Sequence, residues 1–491
     1  MAVRSSSYLE ERDESVRTML SANELALSAR LRRPLKVLIV AHWFPPDNVI
    51  GAVRVGKFAK FLYDLGYEVR VIAGSDPEFR DHSLPVEIPS TAVTYLDSPI
   101  DQTWRRFNLF ASHSNQSKIS ATKAGTVEGQ RRSTSRFRET LTSHYYALIR
   151  TPDARAGWIK SAVAAGTKLV DKWRPDLIFA SAPPNSSLVA ASRIARICGS
   201  PWIAELRDLW VENPYYEYPK WRLWLDRIYE RRTLRSAAGL VSVTPLWTQS
   251  LERKYLQPAI CILNGFAPED FPKDPPRPKP GDVVSLVYTG NIYIGYRDPT
   301  ALFEAINLLG PERSNVAVHF YGPPIEQVRS FAAAQNVLDR VFVHDRVTYK
   351  ESLTLQCSAD VLLLLQWDNK KDEGNIPAKF FEYLGAGRPI LMLGYEHGTL
   401  ARMVRERNAG LVSNDPVRIA EQLRKWIAQR PQGIQGLDPS ASAGMTRHEQ
   451  FESLERFISH VIDARSPELG MPGVGNESRP AGSANIAGKY D

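Results

Sequence analysis

The chain has 491 residues, of which 43% are apolar and 24% are charged, and its formal net charge is +8. These fractions exclude a wholly disordered chain or a fibrous repeat, and the length predicts two or three globular domains. We expect neither a membrane-spanning helix, which needs about 18 consecutive apolar residues, nor a signal peptide, because the first 33 residues are rich in charge. Three widely spaced cysteines predict no disulfide framework and no metal site, so we expect an intracellular, reduced protein.

The first half of the chain predicts a parallel sheet. After a polar arm over residues 1–33, the apolar run at 36–41 is typical of a strand buried on both faces. A helix that ends at Gly66 and a strand at 68–74 complete a βαβ unit, which requires parallel strands. The sheet is expected to continue through strands at 176–180, 202–205 and 239–244, with a helix over 186–198.

The second half of the chain repeats this alternation after a linker. Residues 272–282 are rich in proline and charge, which is typical of a connection between domains. The expected strands are 284–289, 316–321, 340–344, 360–365 and 389–393, and the expected helices are 299–309, 325–336, 350–357 and 377–386. A last helix over 446–465 is expected to fold back on the first domain, and residues 466–491 to be disordered. The fold class is therefore α/β, with two doubly wound domains, 34–271 and 283–445, that face each other across a cleft.

Residues 101–150 interrupt the alternation. They hold nine Lys/Arg against three Asp/Glu, so this segment supplies +6 of the net charge. One interpretation is a solvated insertion. Another is a surface that binds acidic lipid headgroups or an anionic acceptor, since aromatic residues are interleaved with the arginines. No recognised nucleic-acid module accompanies the segment, so no nucleic-acid partner is predicted.

The loops that follow the strands are the candidate site, because open α/β sheets bind ligands beyond the carboxyl ends of their strands. In the first domain these loops lie at 42–54, 181–187 and 205–210. Gly51 would let the backbone approach an anionic or oxygen-rich ligand at a helix start. Tight turns, helix caps and ion pairs are the alternative explanation for the same residues.

The second domain has the denser pattern. A glycine at the end of its first strand, Gly290, with Arg297 one loop away suits a diphosphate, and Gly322 ends the second strand in the same manner. In the segment EGNIPAKFFEY, at 373–383, a proline at 377 is expected at the first helical position.

Two side chains of that helix carry the candidate chemistry. Lys379, near the helix start, adds positive charge for a phosphate. One turn later, Glu382 could accept two hydrogen bonds from vicinal hydroxyls such as those of a ribose. A lone glutamate on a helix is usually solvated, but this one lies in a largely apolar run.

Six segments together resemble the retaining glycosyltransferases of family 4, of the GT-B fold, in the branch that builds bacterial surface polysaccharides. In order along about 35–465 they are HWFPPDNVIGAVRVGKFAKFLYDLGYEV (42–69), PDLIFASAPPNSSLVAA (175–191), PWIAELRDLW (201–210), ILNGFAPEDF (262–271), LVYTGNIY (286–293) and EGNIPAKFFEYLGAGRPIL (373–391). The resemblance implies a nucleotide-sugar donor in the C-terminal domain and an acceptor in the N-terminal domain.

The resemblance also implies a role for each candidate. Glu382 matches the second glutamate of the family's pair, whereas Gly374 stands where the first is expected, so the backbone N–H groups of 374–376 would hold the sugar hydroxyls instead. Asn291 stands where an arginine is common. The implied donor-binding residues are Gly290, Asn291, Gly322, Glu373, Gly374, Asn375, Ile376, Pro377 and Glu382. The implied acceptor-binding residues are Pro46, Gly51, Arg54, Ser181, Asn185 and Arg207, and the implied catalytic residues are Arg297, Lys379 and Asp208.

The resemblance implies transfer of a sugar from a nucleotide-sugar to a saccharide or lipid-diphosphate-linked acceptor, with retention. No cofactor and no metal are expected, since no Asp-x-Asp cluster suited to a metal-bound diphosphate occurs. The expected location is the cytoplasm or the inner face of the membrane, which residues 101–150 would contact. Three alternatives stay open: a nucleotide-sugar epimerase, a glycogen-phosphorylase-like enzyme, and a non-catalytic membrane-surface protein that binds nucleotide-sugars.

Overall fold

A computed structural model describes residues 34–76, 81–97, 151–216, 219–278, 281–293, 295–322 and 324–464. The polar arm, the basic segment 101–150 and the tail 466–491, on which three of the sequence predictions depend, lie outside the described residues. Among the helices that the structure describes, each is too short or too polar to cross a lipid bilayer.

The N-terminal lobe contains a parallel sheet. Its described strands are β1 (Lys36–Ala41), β2 (Glu68–Ser75), β3 (Val93–Asp97), β4 (Leu177–Ala182), β5 (Trp202–Leu206), β6 (Gly239–Ser242) and β7 (Ala259–Cys261). They lie in the order β3–β2–β1–β4–β5–β6–β7, and every neighbouring pair is parallel. The order changes direction between β1 and β4, so the loops after these two strands open a crevice at the carboxyl edge.

Helices cover both faces of this sheet, and the central strands β1 and β4 are therefore buried on each side. The helices described between β1 and β7 are α1 (Ile50–Asp64), α2 (Trp158–Val170), α3 (Ser186–Cys198), α4 (Lys220–Leu234) and α5 (Pro245–Tyr255). Apolar side chains of α2, α3 and α5 pack on one face, and those of α1 pack on the other.

The C-terminal lobe repeats the plan with a second parallel sheet. Its described strands are β8 (Val284–Thr289), β9 (Val316–Tyr321), β10 (Val341–His344), β11 (Val361–Leu365), β12 (Ile390–Leu393) and β13 (Gly410–Val412), in the order β10–β9–β8–β11–β12–β13. The helices are α6 (Thr300–Leu308), α7 (Ile325–Ala334), α8 (Tyr349–Ser358), α9 (Ala378–Ala386), α10 (Thr399–Glu406) and α11 (Pro416–Gln429). The predicted fold class, α/β with two Rossmann-like parallel sheets, is confirmed.

The chain crosses between the lobes twice, and the two crossings lie side by side. Phe266 donates its N–H to the carbonyl of Met445 at 3.0 Å, and its own carbonyl accepts from Arg447 at 2.7 Å. After the second crossing, α12 (Arg447–Asp463) packs on α1, where its Phe451 contacts Phe58. The last helix therefore belongs to the core of the N-terminal lobe.

Sequence patterns did not predict α2, α4, α5, α10 and α11, or the strands β3, β7 and β13. β3 is an edge strand in which three of the five residues are exposed, and β7 has only three residues. α4 carries so many charged residues that its apolar periodicity is weak. One detail of the prediction is wrong: Pro377 is the N-cap residue, not the first helical residue, of α9.

A buried ion pair joins three elements of the N-terminal lobe. Arg54, on α1, donates from Nε and Nη2 to Oε1 of Glu205 at 2.9 and 2.8 Å, and Ser181 donates to the other carboxylate oxygen of Glu205 at 2.5 Å. Arg54 also donates to the carbonyls of Leu263 and Ile262 at 2.8 and 3.0 Å. A buried carboxylate with its charge partner and hydrogen bonds in place holds α1 against the ends of β4 and β5.

We expect Arg54→Met to lower the free energy of unfolding by about 3–5 kcal/mol, because Glu205 would stay buried without its partner. Denaturant titration of the full chain measures the change. The control is Lys60→Met on the same helix, whose pair with Asp64 is exposed, and whose expected cost is below about 1 kcal/mol. Equal losses in the two variants would contradict the assignment.

A neutral histidine is buried at the end of β1. Both ring nitrogens of His42 are buried without a hydrogen-bond partner among the described residues, and the ring packs edge-on against Trp158 at 5.3 Å. Burial, reinforced by the nearby Arg155 guanidinium and opposed by Asp76, lowers the pKa of His42 to about 4. The unfolded chain therefore binds this proton first as the pH falls, and folding loses stability between about pH 6.5 and pH 4.

Between pH 7 and pH 4, we expect the free energy of unfolding to fall by about 3 kcal/mol less in His42→Leu than in the wild type. The difference between the His42 pKa values of the folded and unfolded chain corresponds to that free energy. The measurement is the free energy of unfolding of wild type and variant at pH 7, 5.5 and 4. His448→Leu, at an exposed position, serves as the control and should follow the wild-type pH profile. Parallel profiles for wild type and His42→Leu would refute the interpretation.

Candidate functional site

The donor-side candidates meet at the carboxyl end of β8. Gly290 directly follows this strand and has φ of +115°, which favours glycine. Its N–H donates to the carbonyl of Tyr321 at 2.8 Å and is therefore not free to bind a diphosphate. The Gly322 N–H is likewise used, by the carbonyl of His344 at 3.3 Å. The two glycines lie side by side and extend the ladder of β9 beyond the strand ends.

Lys379 reaches across to Gly290 from the first turn of α9. Its ammonium donates to the carbonyl of Thr289 and lies 4.1 Å from the ring centroid of Tyr288. A Cβ added at Gly290 would come within 2.8 Å of Nζ, so the glycine also makes room for this cation. Burial lowers the pKa of Lys379, with the Arg297 guanidinium acting in the same direction. An anion at this point would offset that cost of burying the charge.

Arg297 is held beside the same tyrosine. Its Nη1 donates to the carbonyl of Asn291 at 2.8 Å, and its guanidinium lies 4.8 Å from the ring centroid of Tyr293. The Tyr288 hydroxyl donates to the same Asn291 carbonyl at 2.7 Å. The backbone of Asn291 therefore positions the arginine, while its side chain is exposed. Two cations, Arg297 and Lys379, thus flank the end of β8.

Glu382 is buried one turn beyond Lys379, with 7% of the residue exposed. Its Oε2 accepts from Gln356 Nε2 at 3.2 Å, and the same amide donates to Thr289 Oγ1 at 3.2 Å. In the part of the chain that the structure describes, Oε1 accepts no hydrogen bond. The carboxylate is therefore fixed by one oxygen, and the other is available to a hydroxyl donor.

The loop before α9 is tied to itself and to the N-terminal lobe. The family resemblance assigns the N–H groups of 374–376 to the sugar hydroxyls. One of them is not free, because Asn375 donates its N–H to the carbonyl of Asp372 at 3.0 Å. The Glu373 carbonyl accepts from Thr399 at 2.8 Å, and the Ile376 side chain packs in the core.

Gly374 lies against the other lobe. A Cβ added there would lie 2.5 Å from Nε1 of Trp247, the third residue of α5. Where the family resemblance places a glutamate, this chain therefore has an indole from the opposite lobe.

A second contact between the lobes involves a buried carboxylate. The Tyr215 hydroxyl, from the loop after β5, donates to Asp372 Oδ1 at 3.0 Å, and Asn375 Nδ2 donates to the same oxygen at 3.2 Å. Burial raises the pKa of Asp372, opposed by these hydrogen bonds and by Arg297. The Tyr215 ring packs against Tyr296 and Trp367 of the C-terminal lobe, at 5.2 and 6.0 Å between centroids.

Arg207 joins the three acceptor-side loops. Its Nη2 donates to the Pro183 carbonyl at 2.6 Å, and its guanidinium fills the space beside Gly51, where an added Cβ would lie 2.1 Å from Nη1. Gly51 therefore accommodates an arginine, whereas the sequence predicted a ligand there. Asp208 follows with an exposed side chain.

Four other acceptor-side candidates have structural roles. Arg54 and Ser181 spend donors on Glu205 and nearby carbonyls, which favours a structural role over the predicted acceptor binding. Asn185 precedes α3, but the cap comes from Asp153, whose carboxylate accepts from Ser186 N and Oγ, each at 2.7 Å. The Pro46 carbonyl accepts from Leu84 at 3.1 Å.

Several residues of the site escaped sequence reasoning. Tyr215, Trp247, Asp372, Gln356 and Tyr288 enter it through contacts between lobes or between distant elements. Asp372 and Tyr288 gave a signal, since Asp372 adjoins the 373–383 motif and Tyr288 lies within LVYTGNIY at 286–293. Among the described residues, no three His, Cys, Asp or Glu side chains lie close enough together to hold a metal ion.

Comparison with known proteins finds a similar domain in the sequence and solved structures with a similar fold. Residues 51–263 match the family model of the glycosyl transferase 4-like domain. No curated protein sequence matches the chain. Three solved structures share its fold across nearly the whole chain.

The first is sucrose-phosphate synthase from Thermosynechococcus elongatus, at 14% identity over 88% of this chain and 100% of that one, with a TM-score of 0.56. HepE from Anabaena in complex with UDP-glucose is 12% identical over 87% and 100%, with a TM-score of 0.54. A glycosyltransferase from Rickettsia africae is 10% identical over 88% and 99%, with a TM-score of 0.52. Residues 51–263 are therefore similar to the glycosyl transferase 4-like domain, and the chain as a whole has the two-lobed GT-B fold.

Proposed function

We propose that this chain transfers a hexosyl or N-acetylhexosaminyl group from a nucleotide-sugar donor to a saccharide or lipid-diphosphate-linked acceptor, with retention, in polysaccharide or glycoconjugate synthesis. The observation that carries the proposal is the convergence of a buried carboxylate, Glu382, and a half-buried ammonium, Lys379, on the end of β8 at Thr289. This point is where the strand order of the second sheet reverses, and open α/β sheets bind nucleotides there.

The nucleotide ribose would bind at Glu382. The carboxylate is already fixed through Gln356, and Oε1 has no partner among the described residues, so a ribose hydroxyl can donate to it without displacing a protein group. The hydrogen bond from the ribose hydroxyl to the carboxylate is charge-assisted and would be shielded from water. The same proposal is supported by the fold that the chain shares with HepE, a protein solved in complex with UDP-glucose.

The diphosphate would lie between Lys379 and Arg297. As the bond from the anomeric carbon to the phosphate oxygen breaks, negative charge grows on the departing diphosphate, and these two cations would stabilise it. In a retaining front-face reaction, the acceptor oxygen bonds to the anomeric carbon on the side that the diphosphate leaves. The acceptor's proton then passes to a phosphate oxygen of the leaving group.

The acceptor would enter from the N-terminal lobe. Arg207, at the meeting point of three loops, and the exposed Asp208 beside it are the polar groups that remain for it, because Arg54 and Ser181 are occupied. Trp247 over Gly374 would border the donor sugar from the same lobe. No cofactor or metal enters the proposal, and the enzyme would work in the cytoplasm, free or bound to the inner face of the membrane.

We expect Glu382→Gln to weaken donor binding at least about tenfold, because a charge-assisted hydrogen bond to the ribose is replaced by a neutral one. Isothermal titration with nucleoside diphosphates of each base measures the dissociation constant. Glu326→Gln, an exposed change in the same lobe, should bind as the wild type does. Wild-type affinity in Glu382→Gln would contradict the ribose assignment.

We expect Lys379→Met to lower turnover by about 100-fold or more, since it removes a cation from the departing diphosphate. Nucleotide release is followed with each donor in the presence of a lipid-diphosphate-linked acceptor, and Lys350→Met at an exposed position is the control. The thermal midpoint of each variant separates lost chemistry from lost folding. Conversion of the donor to an isomer without nucleotide release would identify an epimerase and refute the proposed transfer.

A further inference from the structure

An exposed face of α4 is rich in unpaired cations. Lys220, Trp224, Arg227, Arg231 and Arg235 follow each other at spacings of four, three, four and four residues, so they share one side of the helix. All five are exposed, and 63% of Trp224 is accessible to solvent. Among the described residues, none of the four cations forms a salt bridge.

The acidic residues of α4 are on its buried side. Asp226 pairs with Arg222 at 2.9 Å, and Glu230 pairs with Lys254 at 3.1 Å. Both carboxylates are buried, so they do not neutralise the outer face. The face therefore carries positive charge that no neighbouring carboxylate of the helix compensates.

The adjoining helix extends the same surface. α3 packs against α4, and its sequence SSLVAASRIARIC has no acidic residue. Arg193 and Arg196 are exposed without a salt bridge in the described part of the chain, and Ile197 is 52% exposed beside them. Six basic side chains with an indole and an isoleucine among them thus cover two adjacent helices.

We propose that this surface of α3 and α4 docks on an acidic lipid bilayer. Arginine and lysine side chains bind anionic headgroups, while tryptophan and isoleucine enter the boundary between headgroups and acyl chains. A nucleic acid fits less well, because single strands are held by several aromatic residues along a groove, and this surface presents one exposed indole. The proposal rests on described residues alone and is independent of the proposed transfer.

Docking by this surface would set the orientation of the cleft. The loop that bears Tyr215 leads into α4, so Lys220 and Trp224 lie at the end of the helix nearest the contact between the lobes. An acceptor held in the same bilayer would then meet the cleft without leaving the membrane.

The test is sedimentation of the full chain with vesicles of phosphatidylcholine alone or mixed with phosphatidylglycerol. We expect binding only to the mixed vesicles, and loss of binding as salt shortens the Debye length from about 10 Å to about 3 Å. Arg227→Glu with Arg231→Glu should weaken partitioning at least about 25-fold, since each basic residue near an acidic surface contributes roughly fivefold, about 1 kcal/mol.

The matched control is Arg418→Glu with Lys425→Glu on α11 of the other lobe, which makes the same change in charge and should leave binding unchanged. Trp224→Gln should weaken binding without altering its salt dependence. Equal losses in the two double variants would mean that net charge alone drives binding and would overturn the proposal. So would wild-type partitioning of Arg227→Glu with Arg231→Glu, or binding of wild type to RNA but not to acidic vesicles.

Discussion

The relative placement of the two lobes depends on the pairing of two chain crossings at Phe266 and Thr446. Two backbone hydrogen bonds join the crossings, and Gly265, with φ of +64°, lets them approach, since an added Cβ would lie 2.8 Å from the Arg447 nitrogen. Asp270 reinforces the junction by accepting from Lys57 at 2.8 Å and from the Tyr349 hydroxyl at 3.3 Å. Because the lobes meet at this junction, the carboxyl edges of both sheets face one cleft.

The polar groups of that cleft are of two kinds. Some are fully hydrogen-bonded within the protein, and others keep an atom available to a ligand. The Arg54–Glu205 pair resembles a binding constellation in sequence, yet it is buried and saturated by hydrogen bonds. Glu382 is also buried and Lys379 is half-buried, but among the described residues the carboxylate keeps one oxygen without a partner, and the ammonium lies beside a glycine. Hydrogen-bond satisfaction, more than residue type, separates a structural ion pair from a candidate ligand site.

The contacts between the lobes replace a side chain that the family resemblance leads one to expect. Trp247 fills the space above Gly374, and Tyr215 binds Asp372 two residues earlier in the same loop. Both aromatic residues come from the N-terminal lobe, so the loop before α9 takes its shape from the opposite domain. The loop before α9 is therefore fully packed only when the lobes are together.

Sequence alone determined the architecture, because buried parallel strands need continuous apolar runs and most of these runs are visible in the sequence. It also predicted Lys379, Glu382 and Gly290 as candidate site residues, because their spacing along one helix and one strand end is local. Tertiary structure decided which donors were already in use: Arg54, Ser181 and the Gly290 N–H bind partners in other elements. Partners far apart in sequence leave no local pattern, and so the roles of Tyr215, Trp247 and Asp372 became visible only when the two sheets were brought together.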